Sequence, residues 1–139
     1  MRELTIPNDD LKQVQRDVLT YLYSQMWAGN IKVSACAHGF LPGKDCKSAV
    51  LAHDRQARCV VCSDMKDFFT NCRSDLVRAI LLDRGVAPCY VDGIIRVCAY
   101  EGHFPQGSPT SPMLTNILMF DADNMIAAYA KKHGFVYTR

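Results

Sequence analysis

Leu11, Val14, Val18 and Leu22 recur at three- and four-residue spacing among polar neighbours, the period of one face of an α-helix. Pro7 and Asn8 followed by Asp9 and Asp10 supply a cap and negative charge at the positive end of the dipole. The pattern therefore predicts a helix running to about Met26 and stopped by Gly29-Asn30, with Trp27 packing against it. The run from His38 to Lys44 is a turn-rich loop with a basic end, and a short helix is expected from about Cys46 to Asp54. Arg58-Cys59-Val60-Val61-Cys62-Ser63-Asp64 is apolar and partly β-branched, the pattern of a buried strand. Ser74 can cap a helix that reaches Arg84 and stops at Gly85, and another helix covers Tyr90 to Tyr100.

The final helix opens with Ser111 as cap and Pro112 at its first position, where a missing amide proton costs nothing. Apolar positions continue through Leu114, Ile117, Leu118, Ile126 and Ala130 to a stop at Gly134. Phe135-Val136-Tyr137 then opens a second strand. A strand needs a partner for its backbone groups, so we expect the chain to be a piece of something larger. Helices with two separated strand signals give an α+β class, helices packed on one face of a small antiparallel sheet. A small sheet would leave an open edge and favour association, although nothing in the sequence sets an oligomeric state.

The composition fits one globular domain: 139 residues, 49% hydrophobic and 22% charged. No apolar run is long enough to cross a bilayer, and the first residues lack the apolar stretch of a signal peptide, so no membrane partner is expected. The net charge of +2 announces no nucleic acid by itself, but residues 31–60 hold five basic and two acidic side chains. Seven cysteines without an export signal argue for reduced thiols in a cytoplasm. Cys59 and Cys62 form a CxxC, yet no second ligand pair stands at zinc-binding spacing; His53 and Cys72 are poorly placed, and buried core cysteines are the better reading. Met113, Met119 and Met125 likewise read as core filler, and Asp121 and Asp123 as structural.

Two places are not explained by packing. Asp64 ends an apolar strand, where a carboxylate is costly unless hydrogen-bonded, paired or bound to a metal, and Mg²⁺ takes such oxygen ligands. A turn-capping role serves Asp64 equally well from this segment alone. Pro105-Gln106-Gly107-Ser108-Pro109-Thr110-Ser111-Pro112 is a rigid polar loop delivered onto a helix start, with Gly107 open to close approach.

Together and in this order, these segments resemble a known family. Ser63-Asp64-Met65-Lys66-Asp67-Phe68-Phe69 resembles motif A of reverse transcriptases, and Pro105 to Asn116 resembles their motif B. His38-Gly39-Phe40 with Pro42-Gly43-Lys44 is similar to the fingers motif. Arg2, Pro7, Leu11-Lys12 and Gln15-Arg16 look like the segment before it. The Pro-Thr-Ser-Pro ending of motif B and Val136-Tyr137-Thr138-Arg139 look most like retron-type bacterial enzymes, with group II intron enzymes next.

The resemblance implies an RNA-directed DNA polymerase that copies an RNA template from a DNA or RNA primer, using deoxynucleoside triphosphates and Mg²⁺, with Mn²⁺ as a substitute. Retrons as a family also imply phage defence. Residues 1–56 would be fingers-like and residues 57–139 palm-like. Asp64 would be the metal ligand, with the Met65 backbone adding a carbonyl and amides near Asp67 and Phe68 meeting the triphosphate. Phe69 would exclude a 2′-hydroxyl, Gln106 and Gly107 would shape the nucleotide pocket, and Arg2 would grip the triphosphate. Lys12, Arg16, Lys44 and Lys47 are weaker candidates for template phosphates. The family's Tyr-x-Asp-Asp turn and thumb do not occur in this sequence, so a missing segment would have to act in cis or in trans. Negligible polymerase activity is expected of the chain alone. A non-catalytic RNA-binding module or split subunit is the alternative, which the combination of Asp64, Phe69 and Gln106 disfavours. An RNA-synthesising polymerase is disfavoured by the aromatic at Phe69.

Overall fold

The computed structural model describes residues 6–53 and 57–139. Seven helices are formed among them: α1 (Asp9–Trp27), α2 (Cys46–Leu51), α3 (Phe68–Asn71), α4 (Ser74–Asp83), α5 (Pro88–Cys98), α6 (Ser111–Leu118) and α7 (Phe120–Lys132). Local chemistry accounts for most boundaries. Asn8 caps α1 by accepting the Leu11 amide at 2.9 Å. Asp45 and Ser48 form a reciprocal capping box on α2. Gly85 ends α4 at φ +78° and Gly134 ends α7 at φ +76°, a left-handed turn that costs glycine nothing. Each is followed by an amide bonded back to the helix, Val86 to Leu81 at 3.1 Å and Phe135 to Ala130 at 2.9 Å.

α4 lies against α5 and α6, α1 packs on α5, and α7 follows α6. Leu22, Ile31, Val77, Leu81, Val91, Phe104, Met113, Leu114 and Ile117 form the buried core between them. The segment after α5 turns back through two isolated bridges, His103 with Arg73 and with Tyr100. No described helix is long and apolar enough to cross a membrane.

The expected sheet is not formed, which corrects the α+β assignment: the described residues are helical, with bridges but no strand. Residues 57–66 run irregularly at the surface, and Val60 and Val61 are 75% and 85% exposed. A β-branched run becomes a buried strand only where a neighbour supplies ladder bonds and a core supplies cover, and here it has neither. Phe135, Val136 and Tyr137 are not a strand either, although Arg139 exchanges backbone bonds with the 36–38 loop: its amide donates to Cys36 at 2.8 Å and its carbonyl accepts from His38 at 2.6 Å.

Smaller corrections follow from packing. α1 buries Gln15 and Leu22, while Val14 stays exposed beside an open groove of about 420 Å³ between α1 and α5. Trp27, in the last turn of α1, is 69% exposed and meets the Tyr23 ring at 6.0 Å. Met125 is exposed on the outer side of α7, and the single helix expected from Ser111 divides at Met119. Arg73, not Ser74, stands at the cap of α4; Ser74 is instead buried, donating its amide to Gly102 at 2.8 Å. Thr110 takes the cap of α6 in place of Ser111, and α2 ends at Leu51.

Candidate nucleotide and template site

The loop from residue 105 to 112 is a built element. Ser111 Oγ donates to the Pro105 carbonyl at 2.8 Å, closing the loop across its own base. Ser108 Oγ donates to Gln15 Oε1 at 3.0 Å and meets Thr110 Oγ1 at 3.0 Å, and Gln15 Nε2 donates to the Val97 carbonyl at 2.8 Å. Gln15, Ser108, Thr110 and Ser111 are all buried. Satisfied polar groups in a dry setting hold one geometry, since any displacement strands several of them at once. Beneath them burial pushes the Cys98 thiol up to about 11, partly countered by its hydrogen bond with Thr110. The tip, Gln106 and Gly107, is left at the surface, with Gly107 at φ +107°.

α6 carries this loop to the Gly39-Phe40 turn. Asn116, buried on α6, donates Nδ2 to the Gly39 carbonyl at 3.0 Å. Within that turn Lys44 Nζ donates to the Ala35 and Ala37 carbonyls at 2.6 and 2.9 Å, so its ammonium is engaged inside the loop. His38 Nδ1 meets Ser48 Oγ at 2.8 Å, and burial, helped by the Lys44 charge, pulls the His38 pKa down.

Around Asp64 the geometry is looser. Asp64, Met65 and Lys66 are exposed, and Asp67 adopts φ +50°, a left-handed conformation that Asp tolerates better than most side chains. Asn71 fastens this turn from below, its Nδ2 donating to the Asp67 carbonyl at 3.0 Å and its amide to the same oxygen at 3.1 Å. Phe68 and Phe69 open α3 with ring centroids 5.4 Å apart; both are half-buried, and Phe68 packs on the core.

Asp123, read from sequence only as structural, is completely buried on α7. It accepts from Tyr137 Oη at 2.9 Å, from Arg139 Nε at 2.9 Å and from Arg139 Nη2 at 2.7 Å. Burial and then Asp123 push the Tyr137 phenol up to about 12. Burial works against the Arg139 charge, but Asp123 outweighs it and the Arg139 pKa rises. His53 Nε2 meets Thr138 Oγ1 at 2.8 Å, and the Arg139 charge acts on the buried Cys72 thiol, so the C-terminal residues join α7, α2 and the end of α3.

The residues singled out from sequence thus fall into separate groups. Gln106 and Gly107 share one rigid loop; Asp64, Met65, Asp67, Phe68 and Phe69 share another segment. No hydrogen bond or ion pair joins the two among the described residues. Arg2 lies outside the described residues, as does Asp54. Lys12 is paired with Asp9 at 3.2 Å, while Arg16 and Lys47 are exposed. A carboxylate with a carbonyl is the right donor chemistry for Mg²⁺ or Mn²⁺, and Asp64 fits that far. It does not make a complete site: the described residues hold no cluster of three or more His, Cys, Asp or Glu side chains able to bind a metal. The cysteine expectation is corrected in part. Cys72 and Cys98 are buried, but Cys59 and Cys62 are exposed, because the 57–66 segment has no sheet to enter; Cys46 and Cys89, in the first turns of α2 and α5, are exposed as well.

Sequence reasoning missed Gln15, Ser108, Thr110 and Asn116 as supports of the site. Gln15 left a signal, a polar residue four positions after Leu11 on the apolar stripe itself.

No protein-family model matches the chain. Over its whole length it is 32% identical to the retron Mx65 reverse transcriptase of Myxococcus xanthus, covering 35% of that protein. It is 26% identical, again over its whole length, to the retron Ec86 reverse transcriptase of Escherichia coli, covering 42%. The retron Mx162 reverse transcriptase of Myxococcus xanthus is 32% identical over 99% of the chain, which spans 31% of it. The chain therefore spans about a third to two fifths of the length of these curated relatives.

Proposed function

We propose, from a chain homologous along its whole length to retron reverse transcriptases, that it forms the fingers-like and palm-like part of an RNA-directed DNA polymerase. Residues 1–56 belong to the first part and residues 57–139 to the second. The observation that carries the reading is the anchored loop from 105 to 112, whose buried hydroxyls fix the backbone while Gln106 and Gly107 face outward. A rigid, open polar tip leading into a helix suits one wall of a nucleotide pocket.

In this reading Gln106 and Gly107 border the incoming deoxynucleotide, and Phe69 stands where a 2′-hydroxyl would need room. Arg2 and the backbone near Asp67 and Phe68 meet the triphosphate in the same reading. Asp64, with the Met65 carbonyl, contributes part of the Mg²⁺ site, and the remaining ligands come from a segment that other parts of the polymerase supply. The ions, when bound, lower the pKa of the attacking hydroxyl and stabilise both oxygens of the displacement. Lys12, Arg16 and Lys47 offer charge to template phosphates. The phage-defence role implied by the family belongs to the same proposal.

The test is primer extension on an RNA template by the full-length polypeptide, with Mg²⁺ and deoxynucleotides. Asp64→Ala is expected to abolish extension while leaving the fold and RNA binding intact. Undiminished extension by Asp64→Ala removes the metal assignment. A well-folded full-length polypeptide that binds RNA but never extends a primer leaves the non-catalytic RNA-binding module as the function.

A further inference from the structure

Phe40 is 70% exposed at the tip of the Gly39-Phe40 turn, with φ +58°. Bulky side chains rarely adopt that backbone conformation, and an exposed ring gains no packing in return. The turn does not relax, because it is held from two directions. Tyr23 Oη donates to the Phe40 carbonyl at 3.3 Å, and Asn116 Nδ2 donates to the Gly39 carbonyl at 3.0 Å. Glycine would accept the same geometry without strain, so folding alone does not account for the ring. Strain kept in place by its surroundings is characteristic of ligand sites.

The neighbourhood names a ligand. The Tyr23 ring lies 6.0 Å from the Trp27 indole, itself 69% exposed, so Tyr23 links two exposed aromatic residues. The stretch from Trp27 to Leu51 contains Lys32, Lys44 and Lys47 against Asp45 alone, a net +2; Lys44 is held by loop carbonyls, and Lys32 and Lys47 are the exposed ammonium groups. The Asp45 carboxylate is engaged as the cap of α2, accepting the Ser48 amide at 2.7 Å. Exposed aromatic faces among cations suit single-stranded nucleic acid, with bases stacking on rings and ammonium groups meeting phosphates.

We propose that Phe40 is a base-stacking residue for single-stranded RNA, its ring presented by a turn fixed to α1 through Tyr23 and to α6 through Asn116. Because α6 also carries the loop from 105 to 112, a base stacked on Phe40 is held in register with the loop tip. The inference deepens the polymerase reading by naming a contact to the template strand, and it rests on that reading for the strand's role.

The experiment uses the full-length polypeptide and a short labelled oligouridine, with binding followed by fluorescence anisotropy of the label. Phe40→Gly is expected to weaken binding by roughly tenfold while leaving the melting temperature unchanged or higher. Phe40→Trp is expected to keep the affinity. A matched abasic strand should lose a similar factor against the unmodified protein and lose nothing further against Phe40→Gly. Equal affinity of Phe40→Gly and the unmodified protein for oligouridine overturns the proposal, as does an equal preference of both for the base-bearing strand. Primer extension separates the two readings: Phe40-dependent RNA binding without any extension defeats the polymerase and spares the stacking residue.

Discussion

Asp123→Ala puts the heaviest load on the structural reasoning. The side chain is fully buried, and its oxygens hold the Tyr137 hydroxyl and two nitrogens of Arg139, whose side chain is only 20% exposed. Removing one partner of a buried pair costs about 3–5 kcal/mol, and the orphaned tyrosine hydroxyl adds about 1 kcal/mol. Arg139 can recover part of this by swinging toward water, so the expected loss is about 2–4 kcal/mol. Asp123→Asn, which keeps the shape and one acceptor, should cost less, about 1–2 kcal/mol. Urea unfolding followed by far-UV circular dichroism measures both. The same network fixes an alkaline limb. With a folded pKa of about 12 against about 10 unfolded, Tyr137 holds its proton more tightly in the native state. Its contribution is therefore complete below about pH 10 and is lost as pH rises toward 12. A loss below about 0.5 kcal/mol for Asp123→Ala, or an alkaline limb that Asp123→Asn leaves unchanged, would refute the assignment of this cluster as the anchor of the C-terminal residues.

Three further outcomes are expected. Gln15→Ala strands the Val97 carbonyl and leaves the Ser108 hydroxyl with Thr110 alone, so it should lower stability by about 1–3 kcal/mol in urea unfolding; an unchanged midpoint would mean that the loop does not depend on α1. A thiol reagent at mildly alkaline pH should titrate Cys46, Cys59, Cys62 and Cys89 rapidly, whereas Cys72 and Cys98, both raised to about 11 by burial, should react only on unfolding. In the full-length polypeptide, Phe69→Ala should raise ribonucleotide incorporation relative to deoxynucleotide by about tenfold or more, and unaltered selectivity would remove Phe69 from the sugar side of the pocket.

The helices were readable because their signals are local. Asn8 before two aspartates, the apolar period through Leu22, and glycines after α4 and α7 each act within a few residues of the element they bound. Residues 57–66 were misread because a strand is not a local property. Val60-Val61 has the right stereochemistry, but its backbone and both faces need partners from elsewhere in the chain, and among the described residues none is brought to it. The same reasoning corrects the argument about Phe68 and Phe69. Leaving a strand, adjacent rings would point to opposite faces; opening α3 they stand about 100° apart and touch.

The 105–112 loop was conspicuous in sequence for its prolines, yet its rigidity comes chiefly from side chains far away in the chain. Prolines limit φ at three points but leave the loop free to pivot at its ends. What stops the pivot is Gln15, bonded at one end to the Val97 carbonyl of α5 and at the other to Ser108. A single amide is suited to this because it donates and accepts at once, so it can tie a helix carbonyl to a loop hydroxyl without an unpaired atom. Leucine at that position would satisfy the apolar stripe of α1, strand the Val97 carbonyl and leave Ser108 tied only to its loop neighbour Thr110. The polar interruption of the stripe is thus the point where a helix ceases to serve its own packing and begins to hold the loop that borders the proposed nucleotide pocket.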